Sequence, residues 1–203
     1  MGRPGLNRAA VIAAAADLAD ELGFDAVTIS VLARHLGVRS PTLYSHVTGA
    51  TDLRTAVTAY VLDELADATG AAMAAGEGRD LLVPFADAIR DFARRSPGRY
   101  DATTRQRIPL EREADSGPPS VDDAIAAGRR NADLALAVVR SYDIDKTNET
   151  YAVRLMSSLI HGYVTLEPAG SFAHSDPPSD ATWPDVLDEL DRTLGRMALG
   201  RAH

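Results

Sequence analysis

The sequence predicts an all-α chain with a helix-turn-helix near its N-terminus, and three observations carry that prediction. Apolar residues recur every three or four positions through most of the 203 residues, the period of a helix with one buried face. Alanine, which has the highest helix propensity, fills many of the positions between them. The stretch 32–53, LARHLGVRSPTLYSHVTGATDL, is punctuated as two short helices around a turn. Ala33, Leu36 and Val38 take inner positions, and Gly37 suits the left-handed site past a helix end. Ser40-Pro41 then opens a second helix, Ser as its cap and Pro in a first turn whose amide has no helical partner. Helix, glycine turn, helix is the helix-turn-helix arrangement.

The second of these helices is chemically a reading element. Leu43 and Val47 are left to face inward, whereas Thr42, Tyr44, Ser45 and His46 all carry hydrogen-bonding groups. Thr42 offers a hydroxyl and a methyl, which suit a base edge or a thymine methyl; Tyr44 and His46 are long enough for phosphates, and Arg39 suits a phosphate or guanine. Tyr44 can equally pack its ring on the small domain with a wet hydroxyl.

Ala33, Leu36-Gly37-Val38, Pro41-Thr42-Leu43-Tyr44, His46-Val47 and Leu53 resemble the DNA-binding signature of the tetracycline-repressor (TetR) family of bacterial regulators, over about the first quarter of the chain. The resemblance implies an all-helical homodimer with an N-terminal three-helix DNA-binding domain, here 1–49, and a C-terminal helical domain, 50–203, that binds an effector and dimerises. Candidate DNA contacts are then Thr28, Ser30, Arg39, Ser40, Pro41, Thr42, Tyr44, Ser45 and His46. The chain departs from the family pattern at Gly49-Ala50, where relatives commonly carry Lys after a Ser or Asn cap, and at Ser45, where many carry a larger residue. Farther on, LIHGYVTLEPAGSF resembles the WHG subgroup of TetR C-terminal domains through His161-Gly162, Leu166-Glu167, Gly170 and Phe172, with Ser158 or its neighbours standing where the Trp would be.

Charge sets a constraint on that reading. There are 21 basic and 29 acidic residues, a formal net charge of -8. Residues 1–54 hold five Arg and five acids, so the excess acidity lies in the remainder. A neutral N-terminal region can be positive on one face, with modest and salt-dependent affinity for DNA. Arg3, in the first eight residues, either reaches DNA as a basic arm or belongs to an ordinary loose terminus. Arg34 either touches a phosphate or is simply solvated. Cys is absent, which excludes disulfides and fits a reducing cytoplasm. The apolar run 9–16 is followed at once by Asp17, Asp20 and Glu21, so neither a cleavable signal nor a membrane span is expected.

The chain in order gives a first helix over 7–22 stopped by Gly23, with Val11, Ile12, Ala15, Leu18, Ala19 and Leu22 inward. Phe24 and Val27 cover the small core and Thr28 caps the helix carrying Ile29 and Leu32. A long connector over 50–73 carries Leu53, Val57, Val61 and Leu65, and two glycines in 74–79 end it. Helices follow over 80–95, around Tyr100, over 121–142 and over 146–166, with a Pro/Gly-rich connection at 108–120. The last helix, 183–199, steps Trp183, Leu187, Leu190, Leu194, Met197 by 4, 3, 4 and 3, a seam that packs helix on helix either inside one subunit or between two. Its place after a complete C-terminal core favours the dimer interface. Phe85, Ile89, Phe92, Tyr100 and Met156, with His161 and Tyr163 as polar groups, are the candidate effector-binding set, since scarce aromatics gather there beside a His.

No enzyme motif is present: there is no G-x-S-x-G elbow, P-loop, dinucleotide turn or HExxH. Ser158 and His161 share a helix without an orienting acid, and five scattered His without Cys make no metal site, so no cofactor is expected. The expected function is a cytoplasmic, ligand-responsive regulator, a repressor released from palindromic double-stranded operator DNA by a small-molecule effector, acting as a homodimer and not at a membrane. The alternative is a ligand-independent helix-turn-helix DNA binder or activator whose C-terminal domain only dimerises or recruits protein.

Overall fold

A computed structural model describes residues 6–73, 76–105 and 119–199, and among these all regular structure is helical. The chain divides into two compact units, 1–65 with 96–131 and 66–95 with 132–203. Two helices, α4 (Ala50–Ala72) and α7 (Val121–Arg140), each contribute one end to each unit. Arg3 and most of the 108–120 connection lie outside the described residues.

The first unit begins with α1 (Arg8–Leu22), whose Asn7 cap accepts from the Ala10 amide at 2.9 Å. Gly23, at φ 84°, ends it and donates its amide to Ala19. Val11, Ala15, Leu18 and Ala19 are buried, as their spacing predicts, but Leu22 at the last turn is exposed. A 3₁₀ turn at Phe24–Ala26 buries Phe24 and leads through buried Val27 to α2 (Ile29–Leu36) and α3 (Ser40–Leu43). From the second half of the chain, α6 (Pro97–Arg105) comes to rest on α1. Gly98 makes this possible: a Cβ there would sit 1.8 Å from the Ala19 carbonyl oxygen. The next residue clamps the junction. The Arg99 amide donates to Asp20 at 2.9 Å, and its guanidinium pairs with Glu64 at 2.6 Å and with Asp17.

Asp52, in the first turn of α4 and 1% exposed, is the other junction of this unit. Its carboxylate accepts the Thr48 amide at 2.9 Å, the Ser120 hydroxyl at 2.6 Å and both terminal nitrogens of Arg8 at 3.3 Å. Arg8 also donates to the His46 carbonyl. Burial works against a charge here, but the bonds from Arg8, Ser120 and the Thr48 amide outweigh it and hold the carboxyl down at about 2, from an ordinary 3.8.

The second unit packs α5 (Arg79–Arg95) on α8 (Glu149–Leu166) and α9 (Ser179–Leu199). Phe85, Ala86, Ile89 and Phe92 of α5 are buried, with Ala152, Met156, Ile160 and Val164 of α8. One ionic cluster ties the three helices. Arg90, 6% exposed, and Arg94 both pair with Glu167 and Asp180, and the Arg90 guanidinium lies 4.9 Å over the Trp183 ring. The Trp183 indole donates to Asp87 at 2.7 Å, and Tyr142, two residues past the end of α7, donates its hydroxyl to Asp191 at 2.6 Å. Burial opposes ionisation of Glu167, yet Arg90 and Arg94 hold it down at about 2.

The seam of α9 corrects an expectation. Trp183, Leu187, Leu190 and Leu194 are between 0% and 4% exposed within the single chain, and Met197 is half-buried. The 4-3-4-3 spacing therefore packs α9 into its own subunit, and the first four of these side chains have almost no surface left for a partner. A charge at Leu190 would disrupt the subunit's core, not part a dimer.

Two outcomes test this packing. Gly98→Ala should lower the unfolding free energy by about 3 kcal/mol, since α6 must lift off backbone atoms, whereas Gly128→Ala, with nothing within 4 Å of the new methyl, should raise it by up to about 1 kcal/mol; urea unfolding of both variants checks this. Asp52 has a folded pKa below its unfolded one, so its contribution is fully present above about pH 4 and is lost as pH falls towards 2. That contribution is about 2 kcal/mol, and unfolding curves of Asp52→Asn should show a shallower decline across this window than those of the unmodified chain.

Candidate nucleic-acid interface

The helix-turn-helix is built by its termini. Thr28 caps α2, its hydroxyl accepting from the Val31 amide at 3.3 Å, and Ser30 sits beside it with the two hydroxyls 3.3 Å apart. Gly37 takes the left-handed conformation, φ 68° and ψ 30°, and the Val38 amide returns to the Ala33 carbonyl at 2.9 Å. Arg39 is extended and its carbonyl accepts the Thr42 amide. The cap of α3 is therefore Arg39 and not Ser40, whose side chain makes no capping bond, and Pro41 stands in the first turn as the sequence predicts. Only four residues are regular helix; the chain then turns through Tyr44, Ser45 and His46, with Val47 bonding back to Leu43.

This segment is seated by two side chains and offers the rest outward. Leu43 is 0% and Val47 1% exposed. Thr42, Ser45 and Pro41 are exposed and Tyr44 is 57% exposed, so its ring does not pack on the small core. The Ser45 hydroxyl donates to the Thr42 carbonyl at 2.7 Å, while Ser40 and His46 are half-buried. Thr28, Ser30 and Arg39 are exposed. All nine expected contact residues thus lie at or beside the turn, seven of them facing solvent.

The cations near it divide in two. Arg8 is committed to Asp52, and Arg54 to Asp25 and the Phe24 carbonyl, its guanidinium 4.1 Å over the Phe24 ring. Arg34 and Arg39 are exposed and make no ion pair among the described residues. Among the described residues 6–54 these two are the arginines outside an ion pair. Sequence reading missed Arg8, Asp52 and Ser120 as parts of this site. An acid in the first turn of α4 resembles a capping box, but its partners at positions 8 and 120 are too far along the chain to be read from spacing.

The candidate effector residues separate. Tyr100 belongs to the first unit, where it is 4% exposed, and burial pushes its phenol well above the ordinary range. Phe85, Ile89, Phe92 and Met156 belong to the second unit and are buried by its own packing. His161 and Tyr163 are half-buried on α8; burial lowers the His161 imidazole, and the Tyr163 hydroxyl donates to the Ser179 carbonyl at 2.6 Å. Tyr163 packs at a tilt against Phe172 and Trp183, with ring centres 4.9 Å away in each case. A groove on this unit is lined by other residues, among them Ala68, Ala72, Pro84, Asp87 and Arg95. Among the described residues no three His, Cys, Asp or Glu are grouped to hold a metal ion, and no helix is long and apolar enough to cross a membrane.

Comparison with known proteins places this geometry. Residues 11–56 match the family described as bacterial regulatory proteins, tetR family, and residues 82–190 match the tetracyclin repressor-like C-terminal domain. The uncharacterized HTH-type transcriptional regulator Rv0681 of Mycobacterium tuberculosis is 34% identical over 94% of this chain and 83% of its own length. YobS of Bacillus subtilis, also an uncharacterized HTH-type transcriptional regulator, is 28% identical over 98% of this chain and 94% of its own. Among solved structures, a TetR variant from Acinetobacter baumannii in complex with minocycline superposes with a TM-score of 0.67 at 22% identity, covering 96% of this chain and 99% of that one. BioQ of Mycobacterium smegmatis superposes at 0.63 with 19% identity, covering 95% and 99%. Family and curated relatives alike are transcriptional regulators and not enzymes. With a matched tetR-family N-terminal domain, a matched C-terminal domain and a relative 34% identical over 94% of the chain, the chain belongs to the TetR family of transcriptional regulators.

Proposed function

We propose that this chain is a ligand-responsive repressor that binds palindromic operator DNA as a homodimer in the cytoplasm and is released by a small-molecule effector held in its second unit. The observation that carries the DNA-reading part is the seating of 40–47: Leu43 and Val47 are buried, while Thr42, Tyr44 and Ser45 project beside the unpaired Arg39. Thr42 takes the base-edge role and Tyr44 a phosphate, with Thr28, Ser30 and Arg34 available to the backbone. Residues Ser40, Pro41 and His46 shape the turn. The effector role rests on the family and on the minocycline complex of the Acinetobacter relative. His161 and Tyr163, polar groups among buried aromatics, are the second unit's candidates to contact it, with Phe85, Ile89, Phe92 and Met156 as wall.

A two-fold site needs a two-fold protein. Because the α9 seam is buried, the proposed dimer face is the open side of α8, where Tyr151, Leu155, Leu159 and Leu166 are half-buried or exposed. Gly162 lies on that side and a Cβ there would meet nothing within 4 Å; the same holds for Gly195 of α9. A mid-helix glycine costs about 1 kcal/mol against Ala, and no close approach among the described residues explains these two. Close packing of a second copy of the helix does.

For DNA, duplexes selected from a random-sequence pool should share a palindrome. Thr42→Ala should relax base preference at one position per half-site by about 1–3 kcal/mol, and Tyr44→Phe should weaken all sites alike. Selection of an asymmetric site, or binding indifferent to both changes, would sink this reading. A thermal-shift screen with minocycline and a panel of small amphipathic compounds separates the repressor from the ligand-independent binder, which no compound would stabilise or release. For the dimer, sedimentation of Leu159→Glu should show a folded monomer without operator binding. Gly162→Ala should weaken association, whereas an open surface would make it a stabilising change with no effect on mass.

A further inference from the structure

We propose that Ser120 is a positioning residue for the reading segment 40–48, acting through Asp52, so that the first turn of α7 helps set how that segment is presented. The inference rests on the proposed reading of DNA by this segment. Ser120 is 0% exposed and stands immediately before α7, 68 residues along the chain from Asp52. Its hydroxyl lies 2.6 Å from Asp52 Oδ1 and 3.0 Å from the Asp52 carbonyl oxygen, and its amide approaches Oδ1 at 3.4 Å. A serine that only fastened a helix end could use any backbone carbonyl. This one engages the same carboxylate whose other oxygen takes the Thr48 amide and whose counter-ion, Arg8, holds the His46 carbonyl.

The last residues of the reading segment are thus suspended from one buried carboxylate, and Ser120, just before α7, bonds the oxygen that the Thr48 amide does not. Bonds from a hydroxyl to an ionised acid are short and directional, so the Asp52 side chain has one orientation while Ser120 holds it. Without Ser120 the carboxylate keeps only Arg8 and the Thr48 amide and loses its shortest bond, so the common reference of the Thr48 amide and His46 carbonyl loosens. Since α7 runs unbroken from Val121 to Arg140, a displacement of that helix along its axis reaches the reading segment through this bond. The effect on DNA is indirect, through geometry, because Ser120 itself is buried away from solvent.

The test compares Ser120→Ala and Ser120→Thr in the full chain by hydrogen-exchange mass spectrometry and by affinity for a duplex that the unmodified protein selects from a random-sequence pool. Ser120→Ala should speed exchange about tenfold or more in 40–50 while 29–36 keeps its rate, and should weaken the selected duplex by about tenfold, as expected for one lost bond to a charged group. Ser120→Thr should restore both. Should the alanine variant fail to fold, Ser120→Cys, which keeps the volume and a weak donor, carries the same comparison. Faster exchange confined to 119–124 would overturn the proposal, leaving Ser120 a fastening for α7 alone. So would a loosened reading segment with undiminished affinity. The exchange measurement needs no DNA, so an unmodified chain that selects no duplex would overturn the DNA-reading function separately from the positioning role.

Discussion

The buried carboxylate of Asp52 is the constraint around which the first unit is assembled. An acid at 1% exposure is costly unless every lone pair is answered, and here an arginine, a serine hydroxyl and a backbone amide answer them. These donors come from the start of α1, the residue before α7 and the exit of the reading turn. The arrangement defines which pieces of chain must meet, since removing any one donor leaves a buried charge short of a partner. Regular helix contributes little to this part of the structure: α3 has only four residues, too few to hold a shape by itself. Its conformation is borrowed from what surrounds it, with Leu43 and Val47 as pegs below and the Asp52 cluster at its exit.

The helices, the glycine turn and the Thr28 cap were legible because each is a local matter of propensity, period or terminus chemistry. The choice of Ser40 as the cap of α3 was not, since serine and its neighbour Arg39 compete for one backbone position and Pro41 fits the first turn with either. Helical period shows that a face is apolar without showing what covers it. The α9 seam is the clearest instance: a regular 4-3-4-3 pattern is the same for a partner helix of the same subunit and of another. Its four buried members are covered from within, and the surface left over belongs to a less regular stripe on α8. Tyr100 was grouped with Phe85 and Phe92 by residue type, yet Gly98 and Arg99 carry its helix onto α1 instead. Nothing local announces a contact between residues about 80 positions apart.

The second unit shows a different use of charge. Arg90 is nearly buried, its guanidinium 4.9 Å over the Trp183 ring, and shares two carboxylates with Arg94. Planar guanidinium groups suit this role, because each can face an aromatic ring and bond in its own plane at once. A lysine at position 90 would keep the charge and lose both features. The His161-Gly162 to Glu167 stretch, singled out in the sequence for its resemblance to a subgroup of C-terminal domains, supplies the acid at the centre of this cluster. What its spacing marks is therefore, in this chain, a structural junction of α5, α8 and α9.

Electrostatics also explains why geometry should matter so much to a DNA reader of this composition. A strongly basic protein can tolerate a loosely held recognition element, because many phosphate contacts hold it on the duplex in any orientation. This chain carries a net charge of -8, and of the four described arginines in residues 6–54, Arg8 and Arg54 are already neutralised by Asp52 and Asp25. Among the described residues 6–54 this leaves Arg34 and Arg39, with some hydroxyls and a few backbone amides. With so little non-specific attraction, discrimination has to come from fitting the base edges, and a bidentate contact is lost when a donor moves by less than an ångström. A four-residue helix seated on two side chains and one fully bonded carboxylate is the structural counterpart of that requirement. The acid that neutralises Arg8 removes a cation from this surface and, through the Thr48 amide and the His46 carbonyl, fixes the exit of the turn.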